Sequence, residues 1–222
     1  MHGLFSPDSK FMTVMSRIGD LIILNLIFLL TSVPIFTIGA SVTALYTVCF
    51  RFGTDREQGV FRSYFRAFRD NFKQGTQIWL ILLLCGAACC FDIYLFLSLP
   101  SMLRYLSVVF SIALVLVLLV FSYAFPLLSQ FENKNKNIFT NALFLSLGYL
   151  PRSILLVALN VLPWVLLATN IITFMQAGFL WVAIYFSAAA YAGTFLLKKV
   201  FAPYMPEEDS DDESIEETES EE

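Results

Sequence analysis

Asp92 is the strongest candidate for chemistry in this chain, because it is an acid within an apolar run, where a charge is expensive and by default functional. It can line a path for a solute or ion, or it can sit a turn or two from the surface near Pro100 and snorkel or cap a neighbouring helix. A second candidate is the stretch SVPIFTIGASVTA, Ser32 to Ala44, where a long apolar run breaks at Pro34, passes Gly39 and resumes at Ser41. Proline removes a backbone hydrogen bond and glycine weakens a helix, so two helical segments meet here at or inside a bilayer. Such a break is tolerated only where protein or water covers the freed backbone groups. Pro34, Gly39, Ser41 and Asp92 together would suit a small transporter or channel.

A third pattern is TDREQGVFRSYFRAFRDNFK, residues 54 to 73. Phe61, Phe65, Phe68 and Phe72 fall on one helical face, and Arg62, Arg66, Arg69 and Lys73 follow one residue later as a basic stripe. A helix of this kind lies in the headgroup plane, rings toward lipid and cations toward phosphate, or it meets a partner protein. Nucleic acid is not expected as a partner, because the helix is wedged between membrane spans.

Enzymatic chemistry is not expected. There is no glycine-rich phosphate loop, no cluster of metal ligands and no serine-histidine-aspartate set, since the single histidine is His2. No cofactor is implied. Cys49, Cys85, Cys89 and Cys90 all lie in or next to apolar runs and read as small buried hydrophobes. Asp20, Asn25, Asn160 and Asn170 read as groups that tie helices together by hydrogen bonds.

The elements that position these residues belong to a membrane protein. The 222 residues are 58% hydrophobic and 14% charged, against about 25% charged in soluble domains. Runs of this length match the roughly 20 residues needed to cross a hydrocarbon core. The expected fold is all-α and polytopic, with five to six transmembrane helices plus interfacial amphipathic helices. The spans fall at about 18–33, 40–52 (short), 77–97, 106–128, 154–172 and 179–197, with interfacial helices at 60–73 and 138–150. Residues 1–17 form an interfacial lead-in without a cleavable signal pattern. Residues 200–222 form an acidic tail expected to be disordered and cytoplasmic. That tail holds eleven of the eighteen acids, leaving fourteen bases against seven acids in the rest, a formal +7.

With six crossings, every base but Arg104 falls on one side, which the positive-inside rule makes cytoplasmic. With five, Lys10 and Arg17 change sides, so six crossings with both termini inside is the preferred count. The order of short span, charged loop, Phe-rich helix and long span at Ala44 to Leu84 recurs at Tyr123 to Leu162, a likeness of pattern that fits either an internal repeat or chance.

The stretch NLIFLLTSVPIFTIGASVTALYTV, Asn25 to Val48, followed by FRSYFRAFRDNFKQGTQIWLILL, Phe61 to Leu83, resembles the YesL family, a domain-of-unknown-function family of bacterial integral membrane proteins. Pro34, Thr37, Gly39, Ala40 and Ser41, then Ala44-Leu45-Tyr46, then Asn71-Phe72-Lys73-Gln74 carry the likeness, which extends from Phe5 to about Pro203. The resemblance implies a protein encoded beside carbohydrate ABC-transporter permeases and polysaccharide-degrading enzymes. The expected role is therefore a non-enzymatic accessory subunit of carbohydrate ABC import in the bacterial plasma membrane. Its expected partners are the lipid bilayer and sugar-permease subunits.

Overall fold

The structure, a computed structural model, describes residues 10–54, 59–99, 102–169, 171–176 and 178–204. The first nine residues, Asn170 and the acidic tail from residue 205 lie outside the described residues. The chain is all-α and polytopic, and no strand occurs among the described residues. Its helices are α1 (Lys10–Ser32), α2 (Ile38–Arg51), α3 (Val60–Asp70), α4 (Phe72–Leu97) and α5 (Leu106–Gln130), then α6 (Asn135–Gly148), α7 (Leu150–Thr169) and the short α8 (Ile171–Gln176). The last passage is α9 (Gly178–Leu180), a π-helical turn (Trp181–Tyr185) and α10 (Phe186–Phe201).

Among the described residues, five helical stretches are long and apolar enough to cross a membrane: Val14–Ser32, Phe72–Leu97, Leu106–Gln130, Leu150–Thr169 and Gly178–Tyr204. The segment expected as a short sixth span is α2, which has only 14 residues and therefore reaches about 21 Å. It is the core of the bundle. Ala44 to Phe50 are all buried, and α1, α3, α4, α5 and α10 pack around them. A helix so enclosed cannot present hydroxyls to water, so Thr43 and Thr47 donate back to the carbonyls of Gly39 and Thr43 at 2.9 Å each.

The break before α2 is real, and its backbone groups are served. Pro34 sits in extended conformation and opens a 3-10 turn, Ile35–Thr37. The Thr37 hydroxyl donates to the carbonyls of Thr31 and Pro34 at 2.6 Å each. Trp79 donates its indole N–H to the Ile35 carbonyl at 2.7 Å. Gly39 then meets α4 at Gly75, where a Cβ on Gly39 would fall 2.5 Å from the Trp79 Cβ and onto the Gly75 carbonyl oxygen. Two glycines at one crossing let the backbones touch, as small residues do between membrane helices.

The interfacial helix expected over 60–73 ends earlier. Asn71 forms a joint whose N–H and side-chain amide both donate to the Ala67 carbonyl, at 3.1 and 3.0 Å, and Phe72 and Lys73 open the spanning helix α4. The same order of helix, polar loop, short helix and one-residue joint recurs as α5, 131–134, α6 and Tyr149 before α7. The cysteines correct an expectation. Cys49 is buried, but Cys85 and Cys90 are exposed and Cys89 is half-buried, because the outer face of α4 turns toward lipid rather than protein.

Candidate functional site

The helix α3 is anchored by a face that sequence reading did not single out. Val60, Ser63, Tyr64 and Ala67 recur at spacings of three, one and three and are buried against the bundle. The Tyr64 hydroxyl lies 2.6 Å from the Thr31 hydroxyl and donates to the Ser41 carbonyl at 3.4 Å, while the Ser41 hydroxyl donates to Thr31 Oγ1 at 3.1 Å. The break and the short helix are thus one hydrogen-bonded unit, with Ser41 at its centre. Burial pushes the Tyr64 phenol up to about 12, against the smaller opposing effect of its hydrogen bonds to Thr31 and Ser41.

With that face inward, the aromatic stripe points outward. Phe61 is 64% exposed, Phe65 and Phe72 are exposed, and Phe68 is half-buried with its ring stacked on Tyr64. The rings of Phe61 and Phe65 lie 4.7 Å apart, and those of Phe68 and Phe72 5.5 Å apart. Arg62, Arg66, Arg69 and Lys73 are all exposed. Four rings and four cations therefore form one outer surface over α3 and the first turn of α4.

A polar cleft of about 960 Å³ opens beside this surface, between the ends of α2, α3 and α5 and the loop 131–134. Arg51, Arg66, Lys73 and Lys134 line it, with the carboxylates of Asp70 and Glu132. None of the four cations forms an ion pair with a described residue. The cleft is held open by side-chain amides. Gln74 donates to the Asn133 carbonyl at 2.6 Å, and Asn135 donates to Gln77 Oε1 at 3.0 Å, tying the loop to α4. Below it, the ring of Phe201 from α10 meets Phe50 of α2 at 6.1 Å and Phe131 at 5.6 Å. The sequence held one signal for this cleft, the polar run FENKNKN between two apolar helices, but Arg51, Gln74 and Gln77 were invisible as its other wall.

Asp92 is placed elsewhere. It is half-buried on α4 and makes no hydrogen bond or ion pair with a described residue. Gly39 packs on Gly75, and Asp92 follows 17 residues further along the same helix, a rise of about 25 Å. The structure therefore brings Pro34, Gly39 and Ser41 together with α3 and does not bring Asp92 to them. Asn25 and Asn160 do tie helices, Asn25 to the π-helical turn and Asn160 to the Ser122 hydroxyl at 3.3 Å.

No curated protein and no solved structure matches the chain. A family model described as "Protein of unknown function, DUF624" matches residues 21–93, a stretch holding the break, the Tyr64 hydrogen bonds, the α3 stripe and most of α4. Over residues 21–93 this chain is thus similar to the DUF624 family, to which the YesL family it resembles belongs.

Proposed function

We propose that the protein is a non-enzymatic accessory subunit of a carbohydrate ABC importer in the bacterial plasma membrane, docked on permease subunits through α3, with its basic surface and both termini cytoplasmic. One observation carries the docking: α3 is held to the bundle by Val60, Ser63, Tyr64 and Ala67, which leaves the rings of Phe61, Phe65 and Phe72 and three arginines facing outward. Exposed aromatic and arginine side chains are the groups that dominate protein interfaces. The choice of a sugar permease rests on the family resemblance, and the cytoplasmic side on the positive-inside rule.

The test is affinity purification of the tagged protein from its native membrane in mild detergent, with co-purifying proteins identified by mass spectrometry. Stoichiometric recovery of sugar-permease subunits, lost when Arg62, Arg66 and Arg69 are all changed to Glu, is the expected result. Recovery of the protein alone, or permease recovery unchanged by those three substitutions, overturns the docking role of α3.

A further inference from the structure

We propose that the cleft between α3, α4 and the 131–134 loop binds the phosphate ester of a polyol, chemistry shared by a glycerol-phosphate lipid headgroup and a soluble sugar phosphate. Four cations on four different segments converge there: Arg51 ends α2, Arg66 lies on α3, Lys73 opens α4 and Lys134 precedes α6. Their mutual repulsion is unrelieved by any ion pair among the described residues. Arginine and lysine together are the usual receptors of a phosphate group, the first by its fork of N–H donors and the second as a point charge.

The remaining lining argues for hydroxyls beside that phosphate. Asp70 and Glu132 repel an anion but accept hydrogen bonds from hydroxyl groups. Gln74 and Asn135 each spend one amide donor within the protein, which orients their side chains and Gln77, leaving the Gln77 nitrogen and Asn135 oxygen without a partner among the described residues. A bare phosphate would take the cations and the Gln77 amide N–H but bring no polyol hydroxyls to the Asp70, Glu132 and Asn135 oxygens. The volume of about 960 Å³ lies at the upper end of small-molecule sites, about 300–1,000 Å³. The site lies at the polar ends of the spanning helices α4 and α5, a place where basic pockets between membrane helices take anionic headgroups.

The experiment uses the full chain in nanodiscs and has two arms. In phosphatidylcholine nanodiscs, glucose 6-phosphate, glycerol 1-phosphate and inorganic phosphate are titrated by calorimetry. In nanodiscs mixing phosphatidylglycerol with phosphatidylcholine, native mass spectrometry reads which lipid the released protein retains. Binding in the first arm identifies a soluble ester as the source, and selective phosphatidylglycerol retention in the second identifies a headgroup. Either supports the proposal if Arg51→Gln and Lys134→Gln each weaken it about tenfold, the scale of one charge-assisted hydrogen bond, and Lys134→Arg restores it. Lys134 is exposed, so its variants read binding without a folding defect. Absence of any phosphate ester in both arms, binding unchanged in both Gln variants, or inorganic phosphate bound as tightly as the esters overturns the proposal. Neither Arg51 nor Lys134 is altered in the permease test, so the two readings fail separately.

Discussion

Asn25 and Ser187, 162 residues apart, are joined by a hydrogen bond from the Ser187 backbone N–H to Asn25 Oδ1 at 3.0 Å. The same amide donates to the carbonyls of Trp181 and Val182 at 3.1 and 2.7 Å, and the Ser187 hydroxyl donates to the Leu21 carbonyl at 2.7 Å. The π-helical turn Trp181–Tyr185 is thereby clamped to α1 by a side chain with no exposed surface. Asn25→Leu should remove all three hydrogen bonds and lower stability by about 2 kcal/mol, within the range for unmade buried hydrogen bonds. Thermal unfolding in detergent measures it, and a midpoint equal to the wild type would show that the turn repairs itself.

The contact of Gly39 with Gly75 sets the spacing of α2 and α4. An added methyl at Gly39 meets the Gly75 carbonyl oxygen, a backbone atom that cannot swing aside. Gly39→Ala should cost about 3 kcal/mol, the upper range of overpacking. At Gly75 the nearest atoms lie 3.0 Å from the added carbon, so Gly75→Ala should cost less. Denaturant titration of both variants checks the order, and equal losses would contradict it.

Tyr64 supplies a pH test. Its phenol is pushed by burial to about 12 from an ordinary 10, so the folded state holds the proton more tightly than the unfolded one. The stabilisation is complete below pH 10 and declines as pH rises from about 10 to 12. Tyr64→Phe removes this decline along with the hydrogen bonds to Thr31 and Ser41. The variant should start about 1 kcal/mol less stable at pH 8 and lose less stability than the wild type between pH 10 and 12. Parallel slopes would remove the phenol as their source.

Asp92 has no hydrogen-bonding or charged partner among the described residues, so its charge within α4 should be a cost rather than a support. Asp92→Asn should leave stability unchanged or raise it by up to about 1 kcal/mol, the modest value expected a few residues from a span's end. A clear loss of stability would reveal a partner beyond the described chain.

The aromatic and basic stripes were legible in the sequence, because spacings of three and four put residues on one face of any helix. The face that anchors the helix was not, because Val60, Ser63, Tyr64 and Ala67 form no apolar stripe that stands out beside the phenylalanines. Tyr64 anchors that face through its hydrogen bonds to Thr31 and Ser41. The α4 cysteines misled for a related reason. Apolar surroundings in the sequence are the same for a group in lipid, in protein or at a helix break.

Lipid as solvent dictates an all-α chain with apolar helices long enough to span it, and residue types alone mark the break at Pro34 with its nearby glycine. These follow from local chemistry, since a backbone in hydrocarbon must satisfy its own hydrogen bonds. Helix packing, by contrast, makes α2 the enclosed core, turns Gly39 onto Gly75 and brings Arg51, Arg66, Lys73 and Lys134 to one cleft. Those residues stand on separate helices, and where helices cross is set by packing between distant segments, for which hydropathy carries no signal.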